Sequence, residues 1–254
     1  MAQTLDTTTE GAQQKDNLCG PFWAARVLRH FGVDEWDGQR IDEDLIALRA
    51  GTVLPEDPDG SVPQGAESRV DYRYELPTGP AAESGTAAEP LAEAIELASG
   101  GALRCVPLRG RWTPNRVERL VEAVPALGAR LLANVRTGLL WASRPPLDAL
   151  LAELAGRPAA DPAPDWDVGH FFELASLIRG AHGSLVLVHD SYPSFGWNAH
   201  HLQPPRAVAA ALLRGDGREG GVLAIAPRGR AAKIESAAAE LGLEVAIWDN
   251  GTRR

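Results

Sequence analysis

The sequence predicts an α+β fold in which an N-terminal helical part packs on an antiparallel sheet. Three observations predict it. From residue 19 on, Ala24, Val27, Leu28 and Phe31 recur at helical spacing, Pro21 suits a first turn that needs no N–H, and Gly32 supplies the stop. Near the other end, HFFELASLI (170–178) and SLVLVHD (184–190) flank the turn RGAHG, which reads as an antiparallel hairpin. Between these anchors helical and strand patterns alternate.

Taken in order, residues 1–12 read as a flexible polar tail and residues 13–254 as one domain. The first helix is expected to open at Cys19 and a second to span 42–51. Residues 52–88 are too rich in proline, glycine and acids for regular structure and read as an inserted surface arm. There follow a helix over 88–100, a strand over 102–108, a helix over 113–127 with Thr113 as its cap, and either a strand pair or a strand and turn over 130–141. A second insertion, 142–167, holds one short helix. After the hairpin come a helix over 204–215, a strand over 221–227, a helix over 229–242 and a strand over 243–249.

Composition narrows the function. With 44% apolar and 23% charged residues in 254, the chain is an ordinary globular protein able to bury a core. Its formal charge is -9, and Lys15 and Lys233 are its only lysines. No basic run tracks a phosphate backbone, which excludes nucleic acid as a partner. No apolar stretch reaches the roughly 18 residues of a membrane span, and the N-terminus lacks the basic and apolar regions of a signal peptide. The expectation is a cytoplasmic protein with two free thiols, Cys19 and Cys105, and neither metal nor organic cofactor.

One constellation points to chemistry. A thiol at a helix N-terminus is deprotonated more readily, because the unpaired N–H groups stabilise the anion, and Cys19 sits at such a position. His170 opens an apolar strand, where its ring can project from the sheet end and carry a proton to and from the thiol. Folding the hairpin about residues 180–182 brings Asp190 opposite His170 to within a couple of residues, where a carboxylate orients the ring. Cys105, inside LRCVPL, reads as core.

The order cysteine, histidine, acid, with the last two on adjacent strands, resembles the papain-like superfamily. It is most similar to the bacteriocin-processing and related small cysteine peptidase domains. The segments that carry the likeness are Gln13, Cys19-Gly20-Pro21, Gly169-His170-Phe171 and Asp190, within residues 13–32 and 168–193. The resemblance implies a bacterial thiol hydrolase or acyltransferase acting on a peptide or small acyl or amide substrate. It also implies an oxyanion hole made by the Gln13 side chain and the Cys19 N–H, with Gln14 as the alternative if the register differs by one. Asp190 departs from the pattern in being followed by Ser-Tyr-Pro, which leaves the substrate open.

Further residues are substrate-binding candidates: Gly20 beside the thiol, Arg136 as a clamp for a carboxylate, and Trp197 as an indole shielding the histidine–acid pair, as papain-like enzymes use one. Asp71, Tyr72 and Arg73 are candidates to line a cleft from the long arm. Two other classes stay open: a non-catalytic binding module on the same fold, and a metal-dependent hydrolase built from His189, Asp190, His200 and His201.

Overall fold

A computed structural model describes residues 13–57 and 62–253, so the expected tail at 1–12 and the tip of the arm lie outside the described residues. The chain runs α1 (Cys19–His30), β1 (Glu35–Trp36), β2 (Gln39–Arg40), α2 (Glu43–Arg49), β3 (Leu54–Pro55), β4 (Thr78–Gly79), α3 (Ala88–Ala98), β5 (Leu103–Arg109) and α4 (Pro114–Ala126). It continues through β6 (Arg130–Arg136), α5 (Leu147–Leu154), β7 (Gly169–Arg179), β8 (Ser184–His189), β9 (His200–Gln203), α6 (Pro205–Leu213), β10 (Gly221–Pro227), α7 (Ala231–Glu240) and β11 (Glu244–Val245).

Seven strands form one sheet in the order β11, β5, β10, β6, β7, β8, β9, with every neighbouring pair antiparallel. Alternation along the strands supplies a core to each face. Val222, Ala224 and Ala226 of β10 join Leu131, Ala133 and Val135 of β6 beneath α4, α6 and α7. Leu223, Ile225 and Leu132 point the other way, into the core of α1, α2 and α3. A strand buried on both faces reads as an unbroken apolar run, which is why GVLAIAP shows no alternation.

The long hairpin forms with a one-residue irregularity that decides the site. From the turn, Arg179 faces Ser184 and Ser176 faces Leu187, but Leu174 then faces Val188 and Glu173 faces His189, leaving Ala175 out of register. A slip of one residue carries a strand's side chains to the opposite face. Continued past His189, the shifted register sets Asp190 across from Phe172, on the face that also carries His170. Without the slip Asp190 would fall across from Glu173, on the other face.

Of the two forms open to residues 130–141, the structure has the strand and turn: β6 and then a turn of 3-10 helix at Thr137–Leu139. The chain turns there because Thr137 captures the incoming strand: its N–H donates to the Val168 carbonyl at 2.9 Å, and its Oγ1 accepts from Val168 N–H at 2.9 Å. The final strand pairs over two residues only, after which buried Trp248 tucks under the sheet and donates Nε1–H to Asn134 Oδ1 at 3.2 Å. The structure also adds a strand that the sequence did not predict, β9, on the edge of the sheet beside β8.

The arm carries one short parallel pair, β3 with β4, and otherwise braces the residues ahead of Cys19. Ser68 Oγ and Arg69 N–H donate to the Asp16 carboxylate at 2.5 and 3.0 Å, Tyr72 Oη donates to the Asp16 carbonyl at 3.0 Å, and Lys15 Nζ pairs with Asp44 at 2.7 Å and Asp71 at 3.6 Å. Asp71 and Tyr72 thus hold the strap that delivers the cysteine, while Arg73 pairs with Asp42 at the start of α2 at 2.7 Å.

Candidate functional site

α1 opens at Cys19 with no side chain among the described residues capping its first turn and no acidic residue in it. The positive end of the helix is therefore open to an anion. Gly20 brings that end close to the sheet, since a Cβ there would stand 3.1 Å from Leu91 Cδ2 and 3.3 Å from Phe171 Cδ2. Its part is close packing, not the substrate contact expected of it. Cys19 is left partly exposed on the wall of a recess of about 230 Å³.

His170, the second residue of β7, is 2% exposed, and its Nε2 lies 3.1 Å from Asp190 Oδ2 and 3.2 Å from Oδ1. The Cys19 sulfur stands close enough to the same ring to raise its basicity by hydrogen bonding and by charge. With Nε2 directed at the carboxylate, Nδ1 is the nitrogen left for sulfur. Burial disfavours a charged ring, but the Asp190 charge and hydrogen bond, with Cys19 adding to them, outweigh it and push the His170 pKa up to about 10. Burial likewise opposes ionisation of Asp190, yet His170 and His201 hold its carboxyl well below the usual carboxylate range. The N–H groups of Ser191 and Tyr192 also donate to Oδ1, at 2.7 and 3.2 Å.

Behind Asp190 stands a residue the sequence did not single out for this purpose. Trp141 N–H donates to Gln203 Oε1 at 2.7 Å, which orients the amide, and Gln203 Nε2 donates to the Trp141 carbonyl at 3.1 Å and to His201 Nδ1 at 3.0 Å. His201 Nδ1 is then an acceptor, so the ring proton sits on Nε2. That fully buried nitrogen has no hydrogen-bond partner among the described residues and lies 3.7 Å from Asp190 Oδ2, beyond hydrogen-bond length yet near the charge.

Aromatic rings exclude water from the pair. Trp166 meets His170 edge-on at 4.8 Å, and Tyr192 stacks on it at 6.2 Å and 30°. Trp166 occupies the place expected of Trp197, which is 46% exposed and bridges to His200 through its backbone. No local pattern marks Trp166, which lies within the second insertion.

The glutamines are placed otherwise than the resemblance implies. Gln13 Nε2 donates to the Glu67 carbonyl at 2.5 Å. Gln14 is buried and ties the strap to the aspartate loop: its Oε1 accepts from Ser191 Oγ at 2.5 Å and its N–H donates to the Ser191 carbonyl at 3.1 Å. Of the three amides on the recess wall, Asn134 and Asn250 are engaged with neighbours, and the third is that of Asn17, two residues before Cys19. Its Nδ2 is buried without a hydrogen-bond partner among the described residues, although it stands near enough to the Tyr72 oxygen to stabilise the phenolate somewhat. Asn17 has φ 62°, a left-handed conformation that asparagine tolerates better than most residues.

Arg136 lines the recess and directs Nε at Asp167 Oδ1, 2.5 Å away. Cys105 is core as expected, and burial pushes its thiol up. His189 belongs to a different group, beside Trp23 at 4.9 Å, stacked on His200 at 4.3 Å and 3.6 Å from Glu173. Among the described residues no set of three or more histidine, cysteine or acidic side chains is placed to hold a metal ion, and no helix is long and apolar enough to cross a membrane.

A family model, DUF6885, described as a family of unknown function, matches residues 1–249. No curated protein matches the chain. No solved structure matches it either.

Proposed function

The chain belongs to the DUF6885 family, a family of unknown function, and we propose that it is a papain-like thiol enzyme acting on an amide or thioester carbonyl. Cys19 is the nucleophile, His170 the proton carrier and Asp190 the group that orients the ring. The sulfur adds to the carbonyl carbon, and the resulting oxyanion accepts hydrogen bonds from the Cys19 N–H and Asn17 Nδ2. Collapse breaks the bond to the leaving amine or thiol, which takes the proton held on His170 Nδ1. The thioester is released by water, or by an amine, whose proton returns to His170.

The observation that carries this reading is a single buried ring held between a carboxylate at 3.1 Å and the thiol at the mouth of α1. Asn17 replaces Gln13 as the oxyanion donor because the Gln13 amide is engaged with Glu67. That engagement also favours the second reading, a binding module that keeps the fold without turnover.

Labelling of the folded protein with an electrophilic acyl probe, followed by mapping of the modified peptide, separates them. The enzyme reading expects acylation of Cys19, none of Cys105, and loss of the adduct in His170→Ala. A probe that modifies neither cysteine until the protein unfolds would overturn it.

A further inference from the structure

The recess that Cys19 lines is also lined by three arginines, and their arrangement bears on the substrate. Arg214 is the unusual one. It ends α6 at φ 65° and ψ -70°, a strained conformation for a residue with a Cβ that persists only where the surroundings demand it. Its side chain is 1% exposed, and Asp216 pins one edge of the guanidinium, taking Nε at 3.2 Å and Nη2 at 2.9 Å. Nη1 makes no hydrogen bond among the described residues. The same guanidinium lies over Gly169, the residue before His170, where a Cβ would stand 3.3 Å from Nη2.

Arg136 repeats the pattern: Asp167 takes its Nε, and neither Nη makes a hydrogen bond among the described residues. Arg218 gives Nη2 to the Ala82 carbonyl and forms no ion pair among the described residues. Each guanidinium is thus fixed through part of its donor set with other N–H groups left over, the disposition that receives an anion with little reorganisation.

We propose that this recess holds the free carboxylate of a small acyl substrate whose reactive carbonyl lies at Cys19, with Arg214, Arg136 and Arg218 as its donors. The inference rests on the thiol-enzyme reading and names its substrate class. A volume of about 230 Å³ falls below the roughly 300–1,000 Å³ of pockets for drug-sized ligands, so the group it takes is compact. Charge selects the kind of anion. Asp57, Asp167 and Asp216 stand at or behind the same wall, so the three arginines carry no formal excess. Such a lining suits a singly charged, planar carboxylate better than a doubly charged phosphate.

The test compares alkylation of Cys19 by iodoacetate, which carries a carboxylate, with iodoacetamide, its neutral analogue. The expected iodoacetate-to-iodoacetamide rate ratio is at least about tenfold that of glutathione, the scale of one charge-assisted hydrogen bond. It falls to the glutathione value in Arg136→Gln, Arg218→Gln and Arg214→Gln, the first two being partly exposed sites that keep the test readable if the buried Arg214 variant misfolds. Glutarate slows the iodoacetate reaction more than inorganic phosphate does. A wild-type ratio equal to that of glutathione, or stronger protection by phosphate, would sink the carboxylate assignment alone. Failure of iodoacetamide to reach Cys19 in the folded protein would instead remove the thiol reading, and this inference with it.

Discussion

Asp190 stands diagonal to His170 across the β7 and β8 pair, Oδ2 3.1 Å from Nε2, because Ala175 drops out of register. Deleting Ala175 removes the unpaired residue and makes the ladder continuous while keeping Leu174 across from Val188, so Asp190 stays across from Phe172. Turnover is expected to stay far above that of Asp190→Ala, with the hairpin still formed. The check is kinetics beside urea denaturation of both variants, and a folded deletion variant as inactive as Asp190→Ala would contradict this register.

His201 is a positioning residue that acts through Asp190. His201→Leu withdraws an N–H that faces a buried carboxylate from 3.7 Å, too long for a hydrogen bond, so the loss is at most the roughly 0.5–1.5 kcal/mol of an ordinary one. The expected readout is a kcat up to about tenfold lower, with KM little changed, and an alkaline limb of the rate profile moved below its wild-type position. His201→Gln, whose amide can still donate, recovers part of both. A purely structural role would lower stability without moving the limb.

Asn17 is assigned the oxyanion. Its replacement is expected to lower kcat by about 10²–10³, the usual effect of removing one such donor. Alkylation of Cys19, which develops no oxyanion, falls far less. Asn17→Gly is the preferred variant, since φ 62° strains an alanine and not a glycine. Equal losses in turnover and alkylation would point to a displaced Cys19 instead.

Glu43 supplies a stability test away from the chemistry. Burial raises its pKa from 4.5 to about 7 against the opposing hydrogen bond from Lys15 N–H. A carboxyl raised in the folded state favours folding below its unfolded value, and that contribution is lost as pH rises through the folded one, here between 4.5 and about 7. Glu43→Gln is therefore expected to stabilise the protein at about pH 8, by at most roughly 3 kcal/mol, and to flatten the decline. Urea denaturation at several pH values reads it, and a variant equally or less stable at alkaline pH would contradict the burial argument.

What was legible in the sequence follows from range. The onset of α1 was marked by its apolar stripe and Pro21, and the hairpin by two apolar runs around RGAHG, so Cys19, His170 and Asp190 could be brought near one another. The bulge that settles their faces leaves no mark, because Ala175 fits the strand pattern either way. His201 was hidden since WNAHHLQPP is too short and polar to show that β9 exists. Nothing in the sequence singled out Asn17, just ahead of α1, or Arg214, at the end of a helix before Gly-Asp-Gly, although each sits at positive φ on the recess wall. Gln13 had the spacing of an oxyanion donor, but the arm at Glu67 claims its amide, a contact 54 residues away in sequence.

The central claim is an imidazolium at His170 balanced by Asp190 and the Cys19 sulfur, and NMR titration of the histidine rings, with His170 assigned by comparison with His170→Gln, tests it most directly. The account predicts that this ring stays protonated past neutrality and titrates near 10, and that the midpoint drops in Cys19→Ser and further in Asp190→Asn. A His170 ring that titrates near 6.5 in the wild-type protein, unmoved by either substitution, would contradict it.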